Sequence, residues 1–77
     1  MTNEIEVVAF CKRKGGDRLR IIERRTYISV NPAMMRAMKL AELYPRVEVS
    51  DMLIENDGRT IAKDELIAVW SNGVKTI

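Results

Sequence analysis

The chain reads as an α+β domain of order β-β-α-β-β-(β), with one helix packed on one face of an antiparallel sheet. Three observations carry that reading. β-branched apolar runs flank a glycine pair near the N-terminus, one helix-period stretch lies between Asn31-Pro32 and Pro45, and two Asx-Gly turns with apolar flanks follow it. The 77 residues make a single domain, near the lower size limit for a self-sustaining core. A composition of 47% apolar and 31% charged residues is that of a globular chain rather than a disordered one.

The first strand is expected from about Glu4 to Arg13. Ile5, Val7, Ala9 and Cys11 point one way and Glu6, Val8, Phe10 and Lys12 the other. Apolar residues on both sides place this strand in the middle of a sheet. The second strand is expected from about Arg18 to Val30, ending in the β-rich Thr26-Tyr27-Ile28-Ser29-Val30. A two-residue turn at Gly15-Gly16 sets partners whose numbers sum to 31, so that Lys14 faces Asp17 and Glu6 faces Arg25. In that register one face gathers Val8, Phe10, Leu19 and Ile21 for burial. The other gathers Arg13, Arg18, Arg20 and Arg24 beside Ile5, Val7, Ala9, Cys11 and Ile22. A half-apolar, half-guanidinium face need not be covered by the protein's own core, because arginine stems lie over apolar surface.

Asn31 suits a helix N-cap and Pro32 the first helical position, where its missing N–H is harmless. The helix is expected to run through Tyr44 and stop before Pro45. Its apolar stripe comprises Ala33, Met34, Ala37, Met38, Leu40, Ala41 and Tyr44, with Arg36, Lys39, Glu42, Met35 and Leu43 opposite. The stripe is expected to cover Val8, Phe10, Leu19 and Ile21. Phe10 and Met38 are then core residues whose replacement by Ala costs about 2–5 kcal/mol.

Beyond Pro45, Val47 to Ile54 reads as a strand, Asn56-Asp57-Gly58 as a turn, and Arg59-Thr60-Ile61 as a returning strand. Residues 62–70 fit either a short helix or a strand; the Asx-Gly spacing favours strands in a meander. Ser71-Asn72-Gly73 is a further hairpin signal, returning through Val74 to Ile77. This strand-rich C-terminus leaves an edge able to pair with a second copy, which makes a homodimer an expectation.

Charge is the most informative feature for function. Residues 12–25 hold seven cations: Lys12, Arg13, Lys14, Arg18, Arg20, Arg24 and Arg25. The net charge of +2 averages unlike halves: ten Lys/Arg against five Asp/Glu in residues 1–47, and three against six in residues 48–77. The molecule is therefore dipolar, with a basic hairpin and an acidic half. Lys12, Arg13, Lys14, Arg18, Arg20 and Arg24 form the candidate partner-binding surface. Glu48, Asp51, Glu55, Asp57, Asp64 and Glu65 form a second candidate surface. Ordinary solvation of charged faces is the competing explanation for both.

The chain has no histidine, which removes the commonest general base and a frequent metal ligand. The three serines have no histidine partner for triad chemistry. Gly15-Gly16 lacks the spacing of a phosphate loop. Cys11, the one cysteine, excludes an internal disulfide and reads as a buried, inert thiol. These absences point away from an enzyme, a metal site and a cofactor. No apolar run approaches membrane-spanning length and the first residues lack a basic secretory signal, so a cytoplasmic protein with no membrane partner is expected.

Thr26 to Val30, followed by Asn31 and the helix, resembles the ribbon and first helix of the ribbon-helix-helix repressors. Ser50 to Glu55 resembles the start of their second helix. Asn56-Asp57-Gly58 would cut that helix short, and the N-terminal hairpin lies outside the pattern, so the meander stands as the expectation. Two binding readings follow. The favoured one is a small non-catalytic adaptor or inhibitor that docks on a larger protein or nucleoprotein complex. In size and composition the chain is similar to small accessory proteins of bacteriophages and mobile elements, which implies such a role. The alternative is a repressor-like protein binding DNA or RNA directly through the basic hairpin. It has the cations but lacks stacking aromatics.

Overall fold

A strand with apolar residues on both faces is stable where neighbours pair with both of its edges. β1 (Thr2–Lys12) has that pattern and occupies that place. In the computed structural model, which describes residues 2–12, 15, 16, 18–54 and 60–77, β1 pairs antiparallel with β2 (Leu19–Tyr27) on one side and β3 (Arg46–Ile54) on the other. One helix, α1 (Val30–Ala41), connects β2 to β3. β4 (Thr60–Ser71) and β5 (Val74–Lys75) complete a five-stranded antiparallel sheet of order β2-β1-β3-β4-β5. The expected element order is present, and residues 62–70 are strand.

The core lies between α1 and one face of the sheet. Ile5, Val7 and Ala9 of β1, Val47 and Val49 of β3, and Ala68 and Trp70 of β4 pack against Ala33, Ala37, Leu40 and Ala41 of the helix. Met34, Tyr27, Tyr44 and Ile67 close its margins. Alanines along the helix seam let its backbone settle close to a sheet surface made of small and branched side chains. This corrects the expected packing: the helix covers the Ile5-Val7-Ala9 face, not Val8, Phe10, Leu19 and Ile21. Phe10 is half-buried on the opposite face, beside Ile21 and Arg46, and Leu19 and Ile21 are exposed. Met38 is 58% exposed and leaves the core set, because the alanine seam buries only a narrow stripe. The middle of the second face is buried as well, at Val8, Met52 and Val69, together with Glu6 and Ser50.

The hairpin register explains the reversal. Residues 10–12 of β1 pair with β2 as expected, Phe10 with Ile21 and Lys12 with Leu19, the numbers summing to 31. Between Ala9 and Phe10 the register shifts, leaving Ile22 as an extra residue, so that Ala9 faces Glu23 and Glu6 faces Thr26 rather than Arg25. A bulge of this kind inserts one residue and reverses side-chain parity beyond it. Glu23 thereby moves to the helix side and Arg24 to the helix-free side. The expected Lys14–Asp17 pairing lies outside the described residues, as does the turn at Asn56-Asp57-Gly58.

Local chemistry accounts for the element ends. The N-cap is Ser29, in extended conformation, not Asn31. Pro32 therefore falls within the first turn, where backbone N–H groups have no intrahelical acceptor and its missing donor is still harmless. The helix closes with Leu43 and Tyr44 both donating to the Leu40 carbonyl, at 3.0 and 2.9 Å. At the β4–β5 turn Asn72 and Gly73 both have positive φ, 51° and 83°, the combination that makes Asn-Gly the preferred tight hairpin turn. The Asn72 N–H donates to the Pro45 carbonyl at 2.7 Å, tying this turn to the connection after the helix.

Leu40→Ala is expected to lower the unfolding free energy by about 2–5 kcal/mol, and Met38→Ala to change it by no more than about 0.5 kcal/mol. Urea denaturation of the two variants separates them. Equal midpoints would remove Leu40 from the core or return Met38 to it.

Candidate functional site

β2 supplies the hairpin's cations from the edge of the sheet, and only β1 borders it. Seven of its nine residues are exposed, which leaves Arg20, Arg24 and Arg25 at the surface with Leu19, Ile21 and Ile22. Lys12 and Arg18 are also exposed. Arg13 and Lys14 lie outside the described residues.

Geometry sorts these cations into two kinds. Arg24 Nε stands 3.5 Å from Glu6 Oε2, and the carboxylate side chain is only 6% exposed. Glu6 and Arg24 sit diagonally across β1 and β2 on the helix-free face, which is within reach of long side chains. Arg24 thus partners a buried carboxylate. By contrast, Lys12, Arg18, Arg20 and Arg25 make no ion pair among the described residues. Arg20, opposite Cys11, and Arg25, opposite Val7, lie on the helix side of the sheet. The expected single arginine face is therefore divided by the bulge: Arg20 is on one face and Arg24 on the other. Arg25, not singled out from the sequence, joins the unpaired set. The adjacent Ile21-Ile22, which breaks the alternation, was the sequence signal for this parity change.

Two further arginines also have partners. Arg36 of the helix donates from Nε and Nη2 to the two carboxylate oxygens of Glu23, at 3.0 and 2.8 Å. This fork-to-fork geometry fastens α1 to the edge strand. The hydrogen bond from Arg36 holds the Glu23 carboxyl below its ordinary 4.5; partial burial opposes this, and the charges of Arg36 and Arg25 reinforce it. The same hydrogen bond, followed by the carboxylate's charge, raises Arg36. Arg46 donates to Glu48 at 2.6 Å, two residues along the same face of β3.

Of the second candidate surface, the described side chains are those of Glu48, Asp51 and Glu65, and they divide between the two faces of the sheet. Glu48 is half-buried in its pair with Arg46 on the helix-free face. Asp51 stands on the other face, opposite Ile5 of the core. Its neighbour across the β3–β4 ladder is Glu65, which is exposed. Asp51 Oδ1 is buried without a hydrogen-bond partner among the described residues. Asp64 is an extra residue at a register shift of β4, and Glu55 and Asp57 lie outside the described residues. Among the described residues no three His, Cys, Asp or Glu side chains gather as a metal-ligand set. Cys11 is half-buried rather than buried, with its Sγ 3.6 Å from the Lys12 carbonyl oxygen. No helix among the described residues is long and apolar enough to cross a membrane.

No protein-family model, curated protein or solved structure matches this chain.

Two expectations follow from the sorting of the arginines. Arg24→Ala removes a partner from a buried carboxylate and is expected to destabilise the fold by about 1–3 kcal/mol, whereas Arg20→Ala should stay within about 0.5 kcal/mol of the parent. Equal losses in thermal or urea unfolding would show that the Glu6–Arg24 pair has no special weight. The second expectation concerns pH. A carboxylate whose pKa is depressed on folding adds stability above its unfolded value, and that stability is lost as pH falls through the folded value. Glu23→Gln should therefore flatten the acid limb of the stability profile below the ordinary carboxylate range. An unchanged acid limb would remove the Glu23–Arg36 pair as a source of pH dependence.

Proposed function

We propose that this is a non-catalytic, cytoplasmic binding protein that docks on a larger protein or nucleoprotein complex through the β1–β2 hairpin. The observation that carries the proposal is the set of cations that make no ion pair among the described residues, Lys12, Arg18, Arg20 and Arg25, on or next to an exposed edge strand that also presents Leu19, Ile21 and Ile22. Cations already held by carboxylates gain little from a new partner, because an existing pair must be broken first. Unpaired guanidinium groups interleaved with apolar side chains have the composition of a protein contact, where arginine is enriched. Direct nucleic-acid binding is the less favoured reading. Of the two aromatics of the hairpin, Phe10 is half-buried beside Ile21 and Tyr27 is half-buried against the core, which leaves little of a stacking platform for single strands.

The test is affinity capture from lysate, with and without nuclease, using the parent and the Arg18→Glu/Arg20→Glu/Arg25→Glu variant. These three side chains are chosen because none makes an ion pair or hydrogen bond to a carboxylate among the described residues, Arg25 acting on Glu23 only through its charge, so the fold should persist, as circular dichroism would verify. A nuclease-resistant protein partner lost in the variant supports the proposal. Capture abolished by nuclease, with DNA or RNA affinity falling steeply with salt, replaces it with direct nucleic-acid binding. Full retention by the variant leaves the hairpin as a solvated face.

A further inference from the structure

Resting on the hairpin reading above, we propose that the outer edge of β2 accepts an extended, acidic segment of a protein partner as an added antiparallel or parallel strand. Three observations converge on this edge.

The first is backbone availability. β2 is the terminal strand of the sheet and pairs only with β1, so alternate N–H and C=O groups over Leu19–Tyr27 point outward. Such a row is a template for strand addition, a common mode of peptide capture. The opposite side of the sheet is a poorer template. There β5 is two residues long, and β4 carries three register shifts against β3 within its twelve residues. β2 carries one shift in nine residues, at Ile22, and is regular from Glu23 to Tyr27.

The second is the division of β2 side chains between faces. Arg20, Arg25 and Tyr27 lie on the helix side together with Glu23, whose carboxylate is held by Arg36, while Leu19 and Ile21 lie on the helix-free side, followed by Arg24 and Thr26. An added strand alternates in the same way, and its side chains come within about 5 Å of their same-face neighbours on β2. The complementary segment therefore carries acidic residues on the face toward Arg20 and Arg25 and apolar residues toward Leu19 and Ile21.

The third is charge selection against self-pairing. β2 holds three arginines and one glutamate, and that glutamate is taken by Arg36. Two copies brought edge to edge would appose cations, whereas an acidic strand would not. Charge complementarity thus selects an acidic partner over a second copy.

The proposal is tested with a nine-residue peptide alternating Glu and Val, labelled for fluorescence anisotropy and matched in length to β2. Its controls are the alternating Lys and Val peptide, a scrambled peptide of the same composition, and a single-stranded oligonucleotide of equal charge. Amide hydrogen exchange of the intact protein is followed in parallel. The expected result is that the Glu/Val peptide binds more tightly than every control. Its binding weakens about tenfold in the Arg20→Glu/Arg25→Glu variant, and slow exchange appears at alternate amides of β2. Binding by the scrambled peptide or the oligonucleotide at equal strength, with no new protection on β2, would overturn the strand-addition proposal in favour of plain electrostatic attraction. Absence of peptide binding would also overturn it. If hairpin-dependent capture from lysate persists in that case, the docking reading survives while this mode of docking fails. If capture is lost as well, both fall together.

Discussion

The burial of β1 on both faces and its pairing on both edges is the constraint from which the rest of the arrangement follows. Ile5, Glu6, Val7, Val8 and Ala9 are all buried, and the strand takes β2 and β3 as neighbours. Its small, branched odd-numbered face fits the alanine seam of α1, so the helix settles there. With β1 interior and the chain returning through α1 to β3 on its other side, β2 is left at the rim. The strand richest in cations thus lies where charge remains hydrated. Had Arg20, Arg24 and Arg25 occupied an interior strand, each would have needed a buried counter-charge.

That rim position makes the pairing of individual arginines informative. Arg24, Arg36 and Arg46 each have a carboxylate on a neighbouring position or element, and each pair has a structural consequence. Arg36 ties the helix to the edge strand through two hydrogen bonds, Arg46 stays within β3, and Arg24 meets a carboxylate in the buried middle of the helix-free face. The strengths should differ. The Glu23–Arg36 and Arg46–Glu48 pairs are partly in water, where ion pairs contribute modestly. Glu6 is nearly enclosed, so the loss of Arg24 as one of its partners weighs more than the loss of a pair held in water. What remains after these assignments is a smaller, cleaner set of cations than the raw count suggests.

Much of the fold was legible in the sequence because the relevant signals are local. Two-sided apolar character placed β1 inside the sheet, and the Asn72-Gly73 dipeptide marked the last hairpin through its tolerance of positive φ. Six of the seven helix-stripe residues are in or against the core. The exception, Met38, sits at the stripe's margin, where burial depends on how wide a surface the helix meets. What could not be read was tertiary: which face of β1 would take the helix. Both faces offered apolar residues, and the choice rested on fit between alanines and small sheet residues that are distant in sequence. The bulge at Ile22 compounded this, because a regular register carried past it assigns every residue from Glu23 to Tyr27 to the wrong face. For the candidate site, the location on the hairpin was visible but its membership was not. Arg24 and Arg25 are adjacent and chemically identical, and only the parity shift decides which one meets Glu6.

An edge strand must resist indiscriminate pairing, and β2 has two of the usual means: charged side chains and a bulge. Those devices also explain why the strand remains exposed without the protein needing to cover it. They do not act equally on every potential partner. The bulge interrupts the edge at one point and spares the stretch from Glu23 to Tyr27. The arginines repel a second copy of the same strand but attract a strand of opposite sign, so on the strand-addition proposal the charge that opposes self-pairing at β2 also favours an acidic partner. The apolar neighbours Leu19 and Ile21 sharpen the choice further. They give a purely polar polyanion nothing to bury, while an alternating acidic and apolar segment matches both faces of the edge at once. Protection and selection are therefore two outcomes of one arrangement of charge on one strand.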